Sequence, residues 1–269
     1  MANIRLYYFS EALKMKVGVN VIIPENTWGH SLADRPAGYR YPVLWLQSGG
    51  GFDYTDWQRY TAIELYAAEA GIAVVCSGTY CSGYMDTKHG DFKYFTQLSI
   101  ETPRVVRHLF PLNEDPKHNY IAGFSMGGYG SLKWMLRDPE QFAAFGTFSG
   151  NKNAIDFVPE VEDNTESFFM FASAFGKKSN VENTADDISY MIQKQKAAGK
   201  QFPKGYMATG VEDTHYEGNV EYMDKYAALG LEFERTVDHG HHNWEYCDRH
   251  VKKFIDWLAI EDTFKRLSE

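Results

Sequence analysis

Tyr120-Ile121-Ala122-Gly123-Phe124-Ser125-Met126-Gly127-Gly128-Tyr129-Gly130 is a short apolar run that breaks at a serine between glycines and continues into a helical pattern. That change of period predicts a strand, a sharp turn and a helix. Gly123-Phe124-Ser125-Met126-Gly127 fits G-x-S-x-G, in which a serine on a strained turn projects its hydroxyl from the end of a sheet. The outer glycines let strand and helix pass closely, because a Cβ at either would clash across the turn. Beyond it, Leu132, Trp134, Met135 and Leu136 recur near helical spacing until Asp138-Pro139 stops the helix. The bland alternative is a glycine-rich turn in any α/β protein, so the flanking sequence has to decide.

Working outward, residues 41 to 47 are a continuous apolar run of the kind a buried central strand shows, and they end in Ser48-Gly49-Gly50-Gly51. Residues 72 to 76 and 142 to 148 read as further buried strands. A helix from Trp57 to Glu69, closed by Gly71, and another over residues 95 to 110, stopped by Pro111, lie between them. Residues 4 to 23 alternate, with Val17, Val19, Val21 and Ile23 on one face, and form the opening antiparallel strands. The β, α, β, α alternation predicts an α/β fold with a mostly parallel central sheet and helices on both faces. We expect one domain over residues 1 to 269. Residues 151 to 200, with a Phe-rich piece over 168 to 175 and a helix near 188 to 198, form a small cap or a helical crossover.

The 269 residues are 44% hydrophobic, enough for one large core. Lys and Arg total 27 against 36 Asp and Glu, a formal charge of -9 with no basic cluster, which excludes nucleic acid and anionic membrane surfaces as expected partners. No run approaches a membrane span, and Met1 to Tyr8 lack the basic-then-apolar pattern of a secretory signal, so the expected location is cytoplasmic. Three cysteines without metal-ligand spacing fit that compartment. Cys76 ends a strand as a core residue, whereas Cys81 and Cys247 read as loop residues with a bridge between them left open. A homo-oligomer is left open too.

A serine hydroxyl is a poor nucleophile at neutral pH and needs a histidine to take its proton and a carboxylate to orient that histidine. Both follow in order. Residues 204 to 210 form a strand followed by Val211-Glu212-Asp213, and residues 231 to 237 form a strand followed by Asp238-His239-Gly240-His241-His242-Asn243-Trp244. Glu212 and Asp213 compete for the acid role, and His239, His241 and His242 for the base. Oxyanion donors are expected from the triple-glycine loop and from the N–H of Met126. Trp57, Tyr80 and Tyr84 are candidate pocket walls, and equally candidate core residues. The histidine cluster with Asp238 could suggest a metal, but consecutive loop residues rarely aim at one ion, and no metal or other cofactor is expected. Cys247 as a nucleophile lacks an elbow around it.

With these pieces placed, the chain resembles the esterase D-like group of α/β-hydrolases, which includes S-formylglutathione hydrolases, tributyrin-type esterases, and acetylxylan and feruloyl esterases. The likeness covers nearly the whole chain. It rests on Tyr41-Pro42-Val43-Leu44-Trp45-Leu46, Lys88-His89-Gly90, Ile121 to Gly130, Gly210-Val211-Glu212-Asp213 and Gly240-His241-His242-Asn243-Trp244-Glu245-Tyr246. The resemblance implies Asp213 as acid, His242 as base, and Gly50 and Met126 as backbone oxyanion donors. The family's His-Gly is Ser48-Gly49 here, and Cys247 replaces a usual aromatic. These departures place the chain nearer the tributyrin-type and carbohydrate esterases. The expected function is a serine carboxylesterase acting on short, acetyl-type esters, including those of saccharides, through Ser125, His242 and Asp213. The alternatives are an S-formylglutathione hydrolase-type thioesterase and a noncatalytic binding protein on the same scaffold.

Overall fold

In the computed structural model, which describes residues 1–25, 37–87, 90–160 and 174–260, eight strands form one sheet in the order β1-β2-β4-β3-β5-β6-β7-β8. The strands are β1 (Ala2–Ser10), β2 (Met15–Ile23), β3 (Val43–Gln47), β4 (Ala73–Ser77), β5 (Asn119–Phe124), β6 (Ala144–Phe148), β7 (Lys204–Gly210) and β8 (Phe233–Asp238). β1 and β2 pair antiparallel, β2 meets β4 antiparallel, and every later pairing is parallel. Every residue of β3, β4, β5 and β6 is buried, because helices cover both faces of the sheet there. β1 lies at the edge, and its burial alternates residue by residue.

The helices are α1 (Asp56–Tyr60), α2 (Ile63–Ala70), α3 (Tyr94–Thr96), α4 (Thr102–Leu109), α5 (Met126–Arg137), α6 (Ile188–Ala197), α7 (Tyr216–Leu229) and α8 (Trp244–Trp257). Successive strand residues feed opposite cores. Trp45 and Ile121 pack with Leu132, Ile188 and Tyr226 from α5, α6 and α7. Leu44 and Ala122 pack with Ala67, Val251 and Phe254 from α2 and α8. The predicted α/β architecture with helices on both faces is therefore the one found.

Three local expectations change. The helix read from Trp57 to Glu69 is two helices, because Thr61 is extended (φ -137°, ψ 166°), and the Ala62 N–H donates to Asp248 Oδ1 of α8 at 2.7 Å. Gly71 closes α2 in the left-handed region, φ 66°. The stretch over 95 to 110 is helical but contains a π turn, Gln97–Glu101, joining α3 to α4. The last helix, for which the apolar pattern predicts Val251 to Leu258, begins at Trp244 instead, because the Asn243 side chain accepts from Tyr246 N–H at 3.0 Å and caps it.

All three cysteines are free, with Cys247 buried inside α8 and Cys81 exposed, so the bridge left open by the sequence does not form. Among the described residues no helix is long and apolar enough to cross a membrane. Of the expected cap, residues 151–160 and 174–200 are described; most of the Phe-rich piece, and Lys88 and His89, lie outside the described residues.

Candidate active site

Ser125 occupies the turn between β5 and α5 with φ 54° and ψ -123°, a conformation that a non-glycine residue holds only when its surroundings impose it. The restraint is visible. Its N–H donates to Phe148 O at 2.9 Å, and its carbonyl accepts Gly128 N–H at 2.8 Å. A Cβ at Gly123 would overlap the Gly127 carbonyl oxygen, and one at Gly127 would overlap that of Gln47 in β3. The two motif glycines are therefore demanded by the crossing of strand and helix backbones.

The loop after β8 brings His242 over this turn. Its Nε2 lies 2.9 Å from Ser125 Oγ, while its Nδ1 lies 3.0 and 3.1 Å from the two Asp213 oxygens. One imidazole thus bridges hydroxyl and carboxylate, with its ring held against Phe124 (centroids 4.8 Å apart) and edge-on to His215 (5.0 Å). Asp213 is buried and also accepts the His215 backbone N–H at 2.7 Å. Burial alone would push its carboxyl up. The hydrogen bond and charge of His242, together with the His215 N–H, outweigh that, and the net direction is below the usual carboxylate value.

The competing residues are used elsewhere. Glu212 accepts the Gly240 N–H at 2.7 Å and pairs with His239 Nδ1 at 2.9 Å on the surface. That pairing lowers the Glu212 carboxyl and raises the His239 imidazole, each chiefly through their shared hydrogen bond. His241 is exposed on the same loop. Gly210 and Gly240 explain how the two loops come together, since a Cβ at Gly210 would overlap the Gly240 carbonyl oxygen.

Gly50 and Met126 line the same cavity as Ser125 and His242. Among the described residues neither of their N–H groups donates to a protein acceptor. Met126 is the first residue of α5, where the unpaired N–H groups and the helix dipole favour negative charge. Ser48, which replaces the family histidine, turns inward: its hydroxyl donates to Asp53 O at 3.1 Å, and its carbonyl accepts the Tyr84 hydroxyl at 2.6 Å. Two preorganised N–H groups beside a serine and a histidine can stabilise the oxyanion of acyl transfer.

The cavity encloses about 250 Å³, and none of the three expected aromatics lines it. Trp57 is fully buried, and its Nε1–H donates to Gln47 O at 3.1 Å. Tyr84 is fully buried in the space that Gly130 leaves against α5. Tyr80 is 40% exposed and lies outside the lining. The walls are instead Met126, Tyr129, Ala154, Phe157, Lys152, Asn219 and His215. Two of these carried a usable signal: Tyr129 is one helical turn after Ser125, and His215 follows Asp213 by two residues. A larger polar cleft of about 810 Å³, with Arg40, Arg104 and Arg107, lies at the amino ends of β3 and β5 and contains none of Ser125, Asp213 and His242. Among the described residues no group of three or more His, Cys, Asp and Glu could hold a metal ion.

The chain matches the model of the Esterase family over residues 10–258. It is similar to an acetyl esterase of Caldicellulosiruptor saccharolyticus, 22% identical over 96% of this chain and 98% of that one. Among solved structures it is similar to a substrate-bound fluorophosphonate-binding serine hydrolase of Staphylococcus aureus, with 30% identity, a TM-score of 0.85, and 97% and 99% of the two chains covered. An S-formylglutathione hydrolase of the same organism gives 30% identity and a TM-score of 0.82 over 96% and 98%. The expected resemblance to the esterase D-like group thus holds along the chain. A strained serine at the carboxyl end of β5, in a chain matching over nearly all its length, leads to one assignment: the protein belongs to the Esterase family, a serine hydrolase of carboxylic esters on the α/β-hydrolase fold.

Proposed function

We propose that the protein is a carboxylesterase for short-chain acyl esters, working through a Ser125-His242-Asp213 triad and an acyl-enzyme. The observation that carries this reading is the His242 imidazole, 2.9 Å from Ser125 Oγ on one side and 3.0 Å from Asp213 on the other. His242 Nε2 takes the hydroxyl proton as Ser125 Oγ bonds to the acyl carbon. Asp213 holds Nδ1–H and stabilises the imidazolium. The carbonyl oxygen becomes an oxyanion facing the Gly50 and Met126 N–H groups, each such donor being worth ~3 kcal/mol of barrier. Collapse breaks the ester C–O bond, and His242 returns the proton to the departing alcohol. Water then enters by the same route and leaves with the acyl group as a carboxylic acid, restoring Ser125.

The acyl length follows from size, since about 250 Å³ of largely apolar cavity suits acetyl to butyryl groups better than long chains. Similarity to a protein named acetyl esterase supports the same reading, and the alcohol is a small molecule or a saccharide. The test is hydrolysis of p-nitrophenyl acetate, butyrate and octanoate by wild type and Ser125→Ala, with a serine-reactive phosphonate alongside. Activity falling with chain length, and lost together with labelling in the variant, is the expected result; turnover retained in Ser125→Ala would refute the mechanism. Similarity to an S-formylglutathione hydrolase supports a second reading, thioester hydrolysis, which predicts kcat/KM on S-formylglutathione above that on every aryl ester.

A further inference from the structure

Lys152 shares the cavity with Ser125 and His242. Several ammonium groups among the described residues are held by carboxylates, as Lys133 is by Asp186, Lys178 by Glu160 and Lys253 by Asp238. Among the described residues Lys152 has no such partner; its Nζ lies 4.6 Å from the centroid of the Phe157 ring, on its face. A cation on an aromatic face is attracted by the ring quadrupole yet keeps its N–H donors available.

Its position is set by the fold. The preceding residue, Asn151, is fully buried, and its N–H donates to Asn219 Oδ1 of α7 at 2.9 Å. The lysine stem then crosses α7 at Gly218, where a Cβ would come within 2.9 Å of both Cδ and Cε. Gly218 is therefore the groove in which the stem lies, and a side chain there would lift the ammonium off the cavity wall. The chain as a whole carries a formal charge of -9 and repels anions at a distance. An unpaired cation at the wall of a small, mostly apolar cavity reverses that preference at short range, where screening by water is weak.

We propose that Lys152 makes this site selective for esters that carry an anionic group, a carboxylate above all, on the acyl or the alcohol side of the scissile bond. This rests on the esterase reading above. The anion docks on the Lys152 ammonium, and the bond broken and the proton path through His242 are unchanged.

The experiment compares two anionic esters with their methyl-capped neutral counterparts. p-Nitrophenyl hemisuccinate against its methyl ester places the carboxylate on the acyl side, and 4-acetoxybenzoate against methyl 4-acetoxybenzoate places it on the alcohol side. In wild type, kcat/KM for one anionic ester should exceed that of its neutral counterpart by about tenfold, the order a charge-assisted contact supplies, chiefly through KM. In Lys152→Met and Gly218→Val the ratio should fall to near one, and Lys152→Arg should restore most of it. Thermal melting checks folding, and the ratio itself is insensitive to the fraction of active protein. No preference in wild type for either pair, or a preference that survives Lys152→Met, overturns the inference while turnover of the neutral esters leaves the esterase reading standing. Failure of all four esters together with failure of phosphonate labelling overturns both.

Discussion

The Tyr84 hydroxyl donates to the Ser48 carbonyl at 2.6 Å, tying the loop after β4 to the loop that carries Gly50. The ring is fully buried against Gly130 of α5, and the Tyr84 carbonyl in turn accepts from Lys133 Nζ at 2.6 Å. Tyr84 was a candidate wall of the pocket by its sequence position; in the fold it is the strut behind one of the two proposed oxyanion donors.

Tyr84→Phe should therefore cost stability and catalysis together. Leaving the Ser48 carbonyl without its buried donor should lower unfolding free energy by about 1–3 kcal/mol, read by urea denaturation. A looser Gly50 loop should lower kcat on p-nitrophenyl acetate more than it raises KM. An unchanged kcat in a destabilised variant would assign Tyr84 to packing alone.

Adjacent carboxylates should behave oppositely. Asp213→Asn keeps the shape but disfavours the His242 tautomer that can accept the serine proton, so kcat should fall by about 10³–10⁴-fold. Glu212→Gln breaks only a surface pair with His239 and should leave kcat/KM within about threefold. Comparable losses in the two variants would contradict the assignment.

Glycine substitutions separate crowding from strain. Gly127→Ala drives a Cβ into the Gln47 carbonyl, backbone against backbone, and should cost about 3 kcal/mol or more, or prevent folding. Gly199→Ala has open space around it and only a positive φ of 72° to tolerate, so about 1 kcal/mol is expected. Urea midpoints of the two variants supply the comparison.

His250 predicts an acid-sensitive step in stability. It is buried, stacked on Tyr246 (4.1 Å), with Tyr206 OH at Nδ1 (3.0 Å) and Asp238 at Nε2 (3.1 Å). Burial, opposed by Asp238 and reinforced by Lys253 and Arg249, lowers its pKa from 6.5 to about 4. The unfolded chain binds this proton near 6.5 and the folded chain only near 4, so protonation favours unfolding between those values. Stability should fall as pH drops through that window, by roughly 3 kcal/mol in all. His250→Gln should flatten the slope of unfolding free energy against pH between 6.5 and 4; an unaltered slope would remove His250 as its source.

Patterns confined to a few consecutive residues were legible in the chain. Runs such as Val43 to Gln47 and Ala73 to Ser77 announce buried parallel strands, because a sheet covered on both faces needs apolar side chains at every position. Gly123 and Gly127 announce the serine turn because backbone crowding there admits nothing larger. The order Ser125, Asp213, His242 of the proposed triad is likewise a property of the linear chain.

Local sequence pattern does not separate chemically equivalent neighbours, whereas the fold gives each a different environment. The residues alone left Glu212 level with Asp213, and His239 and His241 level with His242; family resemblance named one of each. The β7–β8 register pairs Gly210 with Asp238, and the near contact of Gly210 with Gly240 sets the two following loops edge to edge. One carboxylate is thereby buried under the serine turn and its neighbour turned to solvent. The same limit hid the cavity walls. Lys152, Phe157 and His215 meet there because separate loops converge above the carboxyl ends of the strands, and no local period encodes which side chains such a convergence brings together.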